Sequence, residues 1–326
     1  MRRFKNILCV IDPESATASH TTLEQAVNLA ENNQTSLTVL EVTPRVTAGI
    51  GMLVPGELQT AAASRRNEAH IASLIEPYRQ RLHIQHKVLF GTSFLEVIRE
   101  VLRCNFDLVI KCAESPDWMD RFIAGDDMHL LRKCPCPVWL IKPGEQRSYK
   151  RILAAVDVDD SYPPSELATR HALNTIVMEL AASLAMSEFA QLHVVYTWEA
   201  NEESAMRHAP FMTEQENNVD TYIEQVQRHH TQRMDELMHE VGAKLGSDAI
   251  DYLKPQLHLL QGSARKEIPA LAKHLQVDCI VMGTVARTGV RGFIMGNTAE
   301  KILGQIDCSV IAVKPPGFVT PITLED

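Results

Sequence analysis

The 326-residue chain has no run of about 18 apolar residues, the length a helix needs to cross a bilayer, and its opening MRRFKNILCVIDPE turns polar after one strand-length apolar stretch. Neither a membrane span nor a secretory signal is expected, which points to a cytoplasmic protein. Positive charge is also short: 32 Lys and Arg stand against 41 Asp and Glu, a net charge of −9. With no general field to attract a phosphate backbone, nucleic acid is not an expected partner. Seven cysteines are an odd number in a chain too large to need staples. Cys9, Cys279 and Cys308 lie in apolar runs, where a reduced thiol serves as a small hydrophobe. Gly-x-Ser-x-Gly and Walker sequences are missing, so neither a hydrolase nucleophile turn nor a P-loop is present. In KCPCP, Cys134 and Cys136 are too close for a zinc-ribbon pair and read as the entry to a buried strand. His229 and His230, adjacent on a helical pattern, point to different faces, and His193 reads as a strand residue. No metal site and no catalytic residue are nominated.

What the chain does contain is written twice. KNILCVID from Lys5 aligns with KRILAAVD from Lys150, an offset of 145, and both are buried strands ending in Asp. Further on, VLFGTSFLEVIREVLRCNFDLVI from Val88 aligns with LLQGSARKEIPALAKHLQVDCIV from Leu259 at an offset of 171, which matches Gly91 to Gly262 and Asp107 to Asp278. The second repeat therefore carries about 26 extra residues before this point. CPVWLIKP and CSVIAVKP close the two repeats. The polar stretch PGEQRSY marks the boundary, giving one domain over 1–147 and a second over 148–326.

Within each repeat, strand-like runs alternate with helical spacing. Residues 4–11, 37–42, 87–90, 108–111 and 138–141 read as strands in the first, and 152–156, 192–196, 257–260, 279–282 and 310–313 in the second. Helices are expected near 22–30 and over 94–104. The extra length of the second repeat holds Val219, Tyr222, Ile223 and Val226, then Met234, Leu237, Met238 and Val241, the face of a long amphipathic helix. Alternating strands and helices predict an α/β protein of two tandem, doubly wound parallel sheets with helices on both faces.

Ligands of such sheets sit beyond the strand carboxyl ends, where strand order reverses. GTVARTGVRGFIMGNTAEKIL begins at such an end: glycines at 283, 289, 292 and 296 allow close backbone approach, Arg287 and Arg291 add charge, and Asn297 or Thr298 opens the next helix. The pattern suits an anion. In the first repeat the matching CAESPDWMDRFIAGDDMHLL has lost most glycines and carries Glu114, Asp117, Asp120, Asp126 and Asp127, which would repel phosphate.

IVMGTVARTGVRGFIMGNTAEKIL followed by CSVIAVKP, with RILAAVD opening the repeat, resembles the universal stress protein family, and the duplication resembles its tandem-domain bacterial members. The resemblance implies five-stranded sheets in the order 3-2-1-4-5. It also implies adenine-nucleotide binding, ATP or a relative with or without Mg²⁺, through a loop of Gly, two residues, Gly, nine residues, and Gly followed by Ser or Thr. Here Ala286 replaces the second glycine and Asn297 the hydroxyl residue. The nucleotide set implied is Asp157 at the end of the first strand, Val195 near the end of the second, and Met282, Gly283, Val285, Ala286, Arg287, Gly289, Gly296, Asn297 and Thr298. For Asp157 the alternative is helix capping, the role expected of Asp12 in the first repeat. The first repeat is then a structural or regulatory copy.

Two ligand classes stay open: a nucleotide sensed in stress response, with weak ATP hydrolysis or autophosphorylation as family members show, or a lipid-like apolar ligand. The Met- and His-rich long helix and the apolar TPRVTAGIGMLVPG loop suit the second. Protein partners are unspecified, the two repeats are expected to pack together like a dimer of single-domain relatives, and further homodimerisation is left open.

Overall fold

The computed structural model describes residues 4–12, 15–45, 56–114, 125–144, 148–200, 215–284 and 295–324. Its strands are β1 (Asn6–Ile11), β2 (Ser36–Thr43), β3 (Ile84–Phe90), β4 (Leu108–Cys112), β5 (Val138–Ile141), β6 (Arg151–Ala155), β7 (Gln191–Trp198), β8 (Gln256–Gln261), β9 (Cys279–Gly283) and β10 (Ser309–Val313). Its helices are α1 (Ala16–Asn33), α2 (Gly56–Ile75), α3 (Ser93–Cys104), α4 (Asp126–Lys133), α5 (Pro164–Glu188), α6 (Gln215–Leu245), α7 (Ser247–Leu253), α8 (Ala264–Leu275) and α9 (Asn297–Leu303). Two compact units emerge. The first takes the described residues of 4–148 with 295 and 307–324, and the second those of 149–284 with 296–306.

In the first unit β3-β2-β1-β4-β5 are parallel neighbours, the expected order. Ile7, Leu8, Cys9, Val109 and Ile110 are wholly buried, because helices cover both faces of a parallel sheet. In the second unit β8-β7-β6-β9 repeat the order 3-2-1-4. The last strand departs from expectation: β10 pairs antiparallel with β5 in the first unit, Val310 opposite Leu140 and Ala312 opposite Val138. The sheet there is mixed rather than wholly parallel. All four residues of β5 are buried, so an open edge would strand their backbone donors and acceptors away from water, and β10, buried throughout, supplies the partners. Ser309 Oγ then accepts the Lys142 backbone N–H at 2.9 Å, and Lys142 pairs with Asp307 at 2.7 Å.

The residues that match between repeats do the same structural jobs. Asp107 accepts the N–H groups of Lys5 (2.7 Å) and Asn6 (3.2 Å), and Asp278 accepts those of Lys150 (2.6 Å) and Arg151 (2.8 Å), so each fastens the start of its repeat's first strand. Gly262 has φ +137°, and a side chain there, as at Gly91, would meet a glutamate of the next helix at 2.9 Å. The 26-residue difference is spent in two places: about ten residues between the first and second strands, where α5 runs 25 residues against 18 for α1, and the rest between the second and third, where the first repeat places α2 and the second the 31-residue α6 followed by α7.

Candidate functional site

In the second unit, β7 lies on one side of β6 and β9 on the other, so the carboxyl ends of β6 and β9 form a switch point. A cleft of about 860 Å³ opens there, lined by Asp157, Asp159, Tyr162, Arg170, Leu173, Tyr196, Trp198, Tyr222, His229, His230, Arg265, Met282, Gly283, Gly296, Asn297 and Thr298 among others. That volume accommodates a small-molecule ligand.

Asp157 follows the end of β6 and is held by α5. The Asn174 carboxamide grips its backbone from both sides, Oδ1 accepting the Asp157 N–H at 3.0 Å and Nδ2 donating to its carbonyl at 2.6 Å. One turn earlier, Arg170 forms an ion pair with the Asp157 carboxylate and lies over the Tyr162 ring, 3.4 Å from its centroid. Asp159 N–H donates to the same carboxylate at 3.2 Å. Burial pushes the Asp157 carboxyl upward, while Arg170 and the Asp159 N–H oppose it. With 39% of its side chain still exposed to the cleft, this carboxylate is screened by water as well as by its partners. Capping is not its task, because α5 begins at Pro164 with Pro163 at the cap position. In the first repeat the Asp12 contribution to α1 comes from its carbonyl, which accepts Ser15 N–H at 3.3 Å and Ser19 Oγ–H at 2.7 Å.

Gly283 closes β9 where α5 comes nearest. A Cβ there would stand 2.5 Å from Leu173 Cδ2, so a side chain enters only if Leu173 turns aside, whatever the cleft holds. From Gly283 the chain leaves the strand, and Gly296 N–H returns to the Thr284 carbonyl at 2.9 Å, bringing Gly296, Asn297 and Thr298 back to the same cleft.

The far wall comes from α6. His229 Nε2 meets Asp160 Oδ1 at 3.0 Å, Arg233 stands 3.6 Å from the same carboxylate, and His230 Nδ1 lies 3.3 Å from the Tyr196 hydroxyl. The His229 hydrogen bond, aided by the charges of His229 and Arg233, holds the Asp160 carboxyl below its usual value. Burial and the neighbouring His229 hold His230 below the usual imidazole value.

Six of the eleven residues expected at a nucleotide, Asp157, Met282, Gly283, Gly296, Asn297 and Thr298, line this one cleft. Val195 is fully buried in β7 with its carbonyl accepting Val156 N–H at 3.0 Å, and the β7 lining starts one residue later at Tyr196. Val285, Ala286, Arg287 and Gly289 lie outside the described residues. Sequence reasoning missed Arg170, Trp198, His229 and His230. The two histidines were set aside as a metal pair, and in the structure they do diverge, one to Asp160 and one to Tyr196, yet both reach the cleft. His193 sits in β7 with Nδ1 3.0 Å from His258 Nε2. Cys134 and Cys136 are buried with sulfurs 3.6 Å apart, and no group of three metal-ligating side chains occurs among the described residues.

In the first repeat the equivalent position is occupied by the protein itself. Lys111, 8% exposed, reaches Asp127 at 2.5 Å and Glu114 at 3.2 Å, and Asp127 also accepts the Glu114 N–H at 2.8 Å. Burial disfavours the Lys111 cation, but the two carboxylates outweigh it and its pKa stands above the usual lysine value. Asp117 and Asp120 lie outside the described residues.

Among known proteins, Universal stress protein E of Escherichia coli K12 is 30% identical over 246 residues, 74% of this chain and 72% of its own. Universal stress protein E of Salmonella typhi is 28% identical over 337 aligned positions, spanning 100% of this chain and 99% of its own. A solved structure of a functionally unknown protein of Pseudomonas aeruginosa PAO1 superimposes with a TM-score of 0.66 at 26% identity, over 96% of this chain and 93% of that one. The Universal stress protein family model matches twice in tandem, over residues 3–142 and 148–314. With both repeats matched, the chain belongs to the universal stress protein family.

Proposed function

We propose that the second repeat binds an adenine nucleotide, ATP or a relative, and that the protein acts in the cytoplasm as a stress-response sensor whose first repeat is a structural or regulatory copy. The observation that carries this is the convergence of Asp157, Met282, Gly283, Gly296, Asn297 and Thr298 on one cleft at the switch point. Asp157 offers an acceptor to ribose hydroxyls or a base amine, and Gly296, Asn297 and Thr298 offer backbone and side-chain donors to phosphate. Mg²⁺ would enter with the phosphates. In this reading the activity is binding, with slow ATP hydrolysis or autophosphorylation as a side reaction.

An apolar ligand is the second reading, favoured by the apolar part of the lining, to which Leu173, Val177, Val226, Ile268 and Ile302 contribute. Calorimetric titration of the nucleotide-stripped chain with ATP decides between them. Binding by the parent, weakened at least tenfold (~1.4 kcal/mol) in Gly296→Asp, supports the nucleotide. No binding by the parent, with an acyl chain in an organic extract of the purified protein, supports the apolar ligand.

A further inference from the structure

Trp198, at the end of β7, lines the cleft, is only 4% exposed, and its indole Nε1–H has no acceptor among the described residues. A buried donor without a partner is uncommon and costly, and calls for an explanation. His230 from α6 stands beside it, with ring centroids 5.9 Å apart, and its Nδ1 is 3.3 Å from the Tyr196 hydroxyl. Tyr196 is buried and held protonated, since burial and the nearby carboxylates push its pKa well up. With that phenol donating to Nδ1, the one proton of a neutral His230 ring sits on Nε2. Two side chains that line the cleft, Trp198 from β7 and His230 from α6, thus carry N–H donors.

From this, resting on the nucleotide reading above, the geometry points to Trp198 and His230 as the residues that recognise the ligand's base, donating to ring nitrogens or carbonyls on its acceptor edge. β7 and β9 lie on opposite sides of β6, so a ligand whose phosphates meet Gly296–Thr298 after β9 carries its other end toward β7. That end must be planar, so that its edge can meet both N–H groups in their own ring planes, and must bear lone pairs for two donors and no large anionic group, given Asp160 nearby. A purine base meets all three conditions. Asp160 is a positioning residue, because its contacts with His229 and Arg233 fix the turn of α6 that carries His230. This recognition depends on α6, which the second repeat carries where the first has the shorter α2.

The test compares ATP with tripolyphosphate, which has no base, on the nucleotide-stripped full chain by calorimetry and tryptophan emission. ATP should change emission through Trp198, while tripolyphosphate should not. In Trp198→Phe, which keeps a ring and removes the donor, ATP affinity should fall roughly three- to tenfold, the range of one net hydrogen bond, and the emission change should vanish. His230→Phe should lose affinity similarly, and His230→Gln, which keeps a donor, should recover part of it. Equal ATP affinity in the parent, Trp198→Phe and His230→Phe overturns the assignment while leaving nucleotide binding intact. A parent that binds no ATP overturns both.

Discussion

At the carboxyl end of the fourth strand the first repeat has Lys111 where the second has Met282. Around it the first repeat sets Glu114 and Asp127, and the residue that matches Asp127 in the second repeat is Thr298, on the lining of the cleft. A buried lysine here needs carboxylates, and the carboxylates that serve it occupy the position from which the second repeat's cleft opens. One repeat fills its switch point with its own ions. The other leaves 860 Å³ for a guest. The fold tolerates either, because the strands, the fastening aspartates Asp107 and Asp278, and the helix contacts do not depend on what sits at this end.

Breaking the filled site should have the largest effect. Lys111→Met leaves Asp127 and Glu114 facing each other half-buried, and the loss of one partner from a buried ion pair costs ~3–5 kcal/mol. Denaturant melts should show this loss in the transition of the first unit. Adding Asp127→Thr, so that both positions carry the second repeat's residues, should restore most of it. A double variant as unstable as the single one would mean that Lys111 acts through something other than its charge.

The converse exchange comes next. Met282→Lys with Thr298→Asp rebuilds the ion pair inside the cleft, and ATP affinity should fall at least tenfold (~1.4 kcal/mol) while the melt changes little. Full retention of ATP affinity, measured by calorimetry, would place the nucleotide elsewhere.

How legible this contrast was in the sequence depends on its range. Every strand was legible, because continuous apolar runs such as ILCVI and CIVM persist on both faces of a parallel sheet and need no distant partner to be recognised. The expected helix over 94–104 is α3, for the same reason of local periodicity. The role of β10 was not legible: VIAV fits any buried strand, and nothing local to it names an antiparallel partner 170 residues away. At the cleft, Asp157, Gly283 and Gly296 could be read because each stands at a strand or helix end that the sequence marks locally. Arg170, Trp198 and His230 could not, because each acquires its role from an element that folds in from elsewhere. Tyr222 and Val226 belong to the expected apolar face of a long amphipathic helix, and in the structure they line the cleft while Met234, Leu237 and Val241 of the same face are buried. Lys111 offered a cue that went unused, a charge at the end of an otherwise apolar strand, which burial obliges to find a partner.

A second lysine pair extends the comparison to pH. Lys142 and Lys314 close their repeats at matching positions; Lys142 meets Asp307, whereas Lys314 is 6% exposed and donates to the Leu131 carbonyl at 2.6 Å. Burial lowers its pKa from 10.5 to about 7. The unfolded chain then holds this proton over a range where the folded chain has released it, so stability should rise with pH from about 7 toward 10.5 and be lost as pH falls back through that window. One proton gives a slope of at most ~1.4 kcal/mol per pH unit. Lys314→Met should flatten the dependence of the urea midpoint between pH 7 and 9, and an unchanged slope would show that Lys314 stays charged in the fold.

The smallest effect separates packing from binding at Gly283, a position both readings claim. Gly283→Ala places a methyl group 2.5 Å from Leu173 Cδ2, but Leu173 borders the open cleft and can rotate into it, so the strain should stay near the low end for an overpacked site, ~1 kcal/mol. The rotated leucine then occupies ligand space, and ATP affinity should fall with it. Adding Leu173→Ala removes the collision and should return the melt toward the parent value. If affinity returns as well, Gly283 matters to the ligand only through the helix it lets in; if affinity stays low while stability recovers, the glycine backbone itself meets the phosphates.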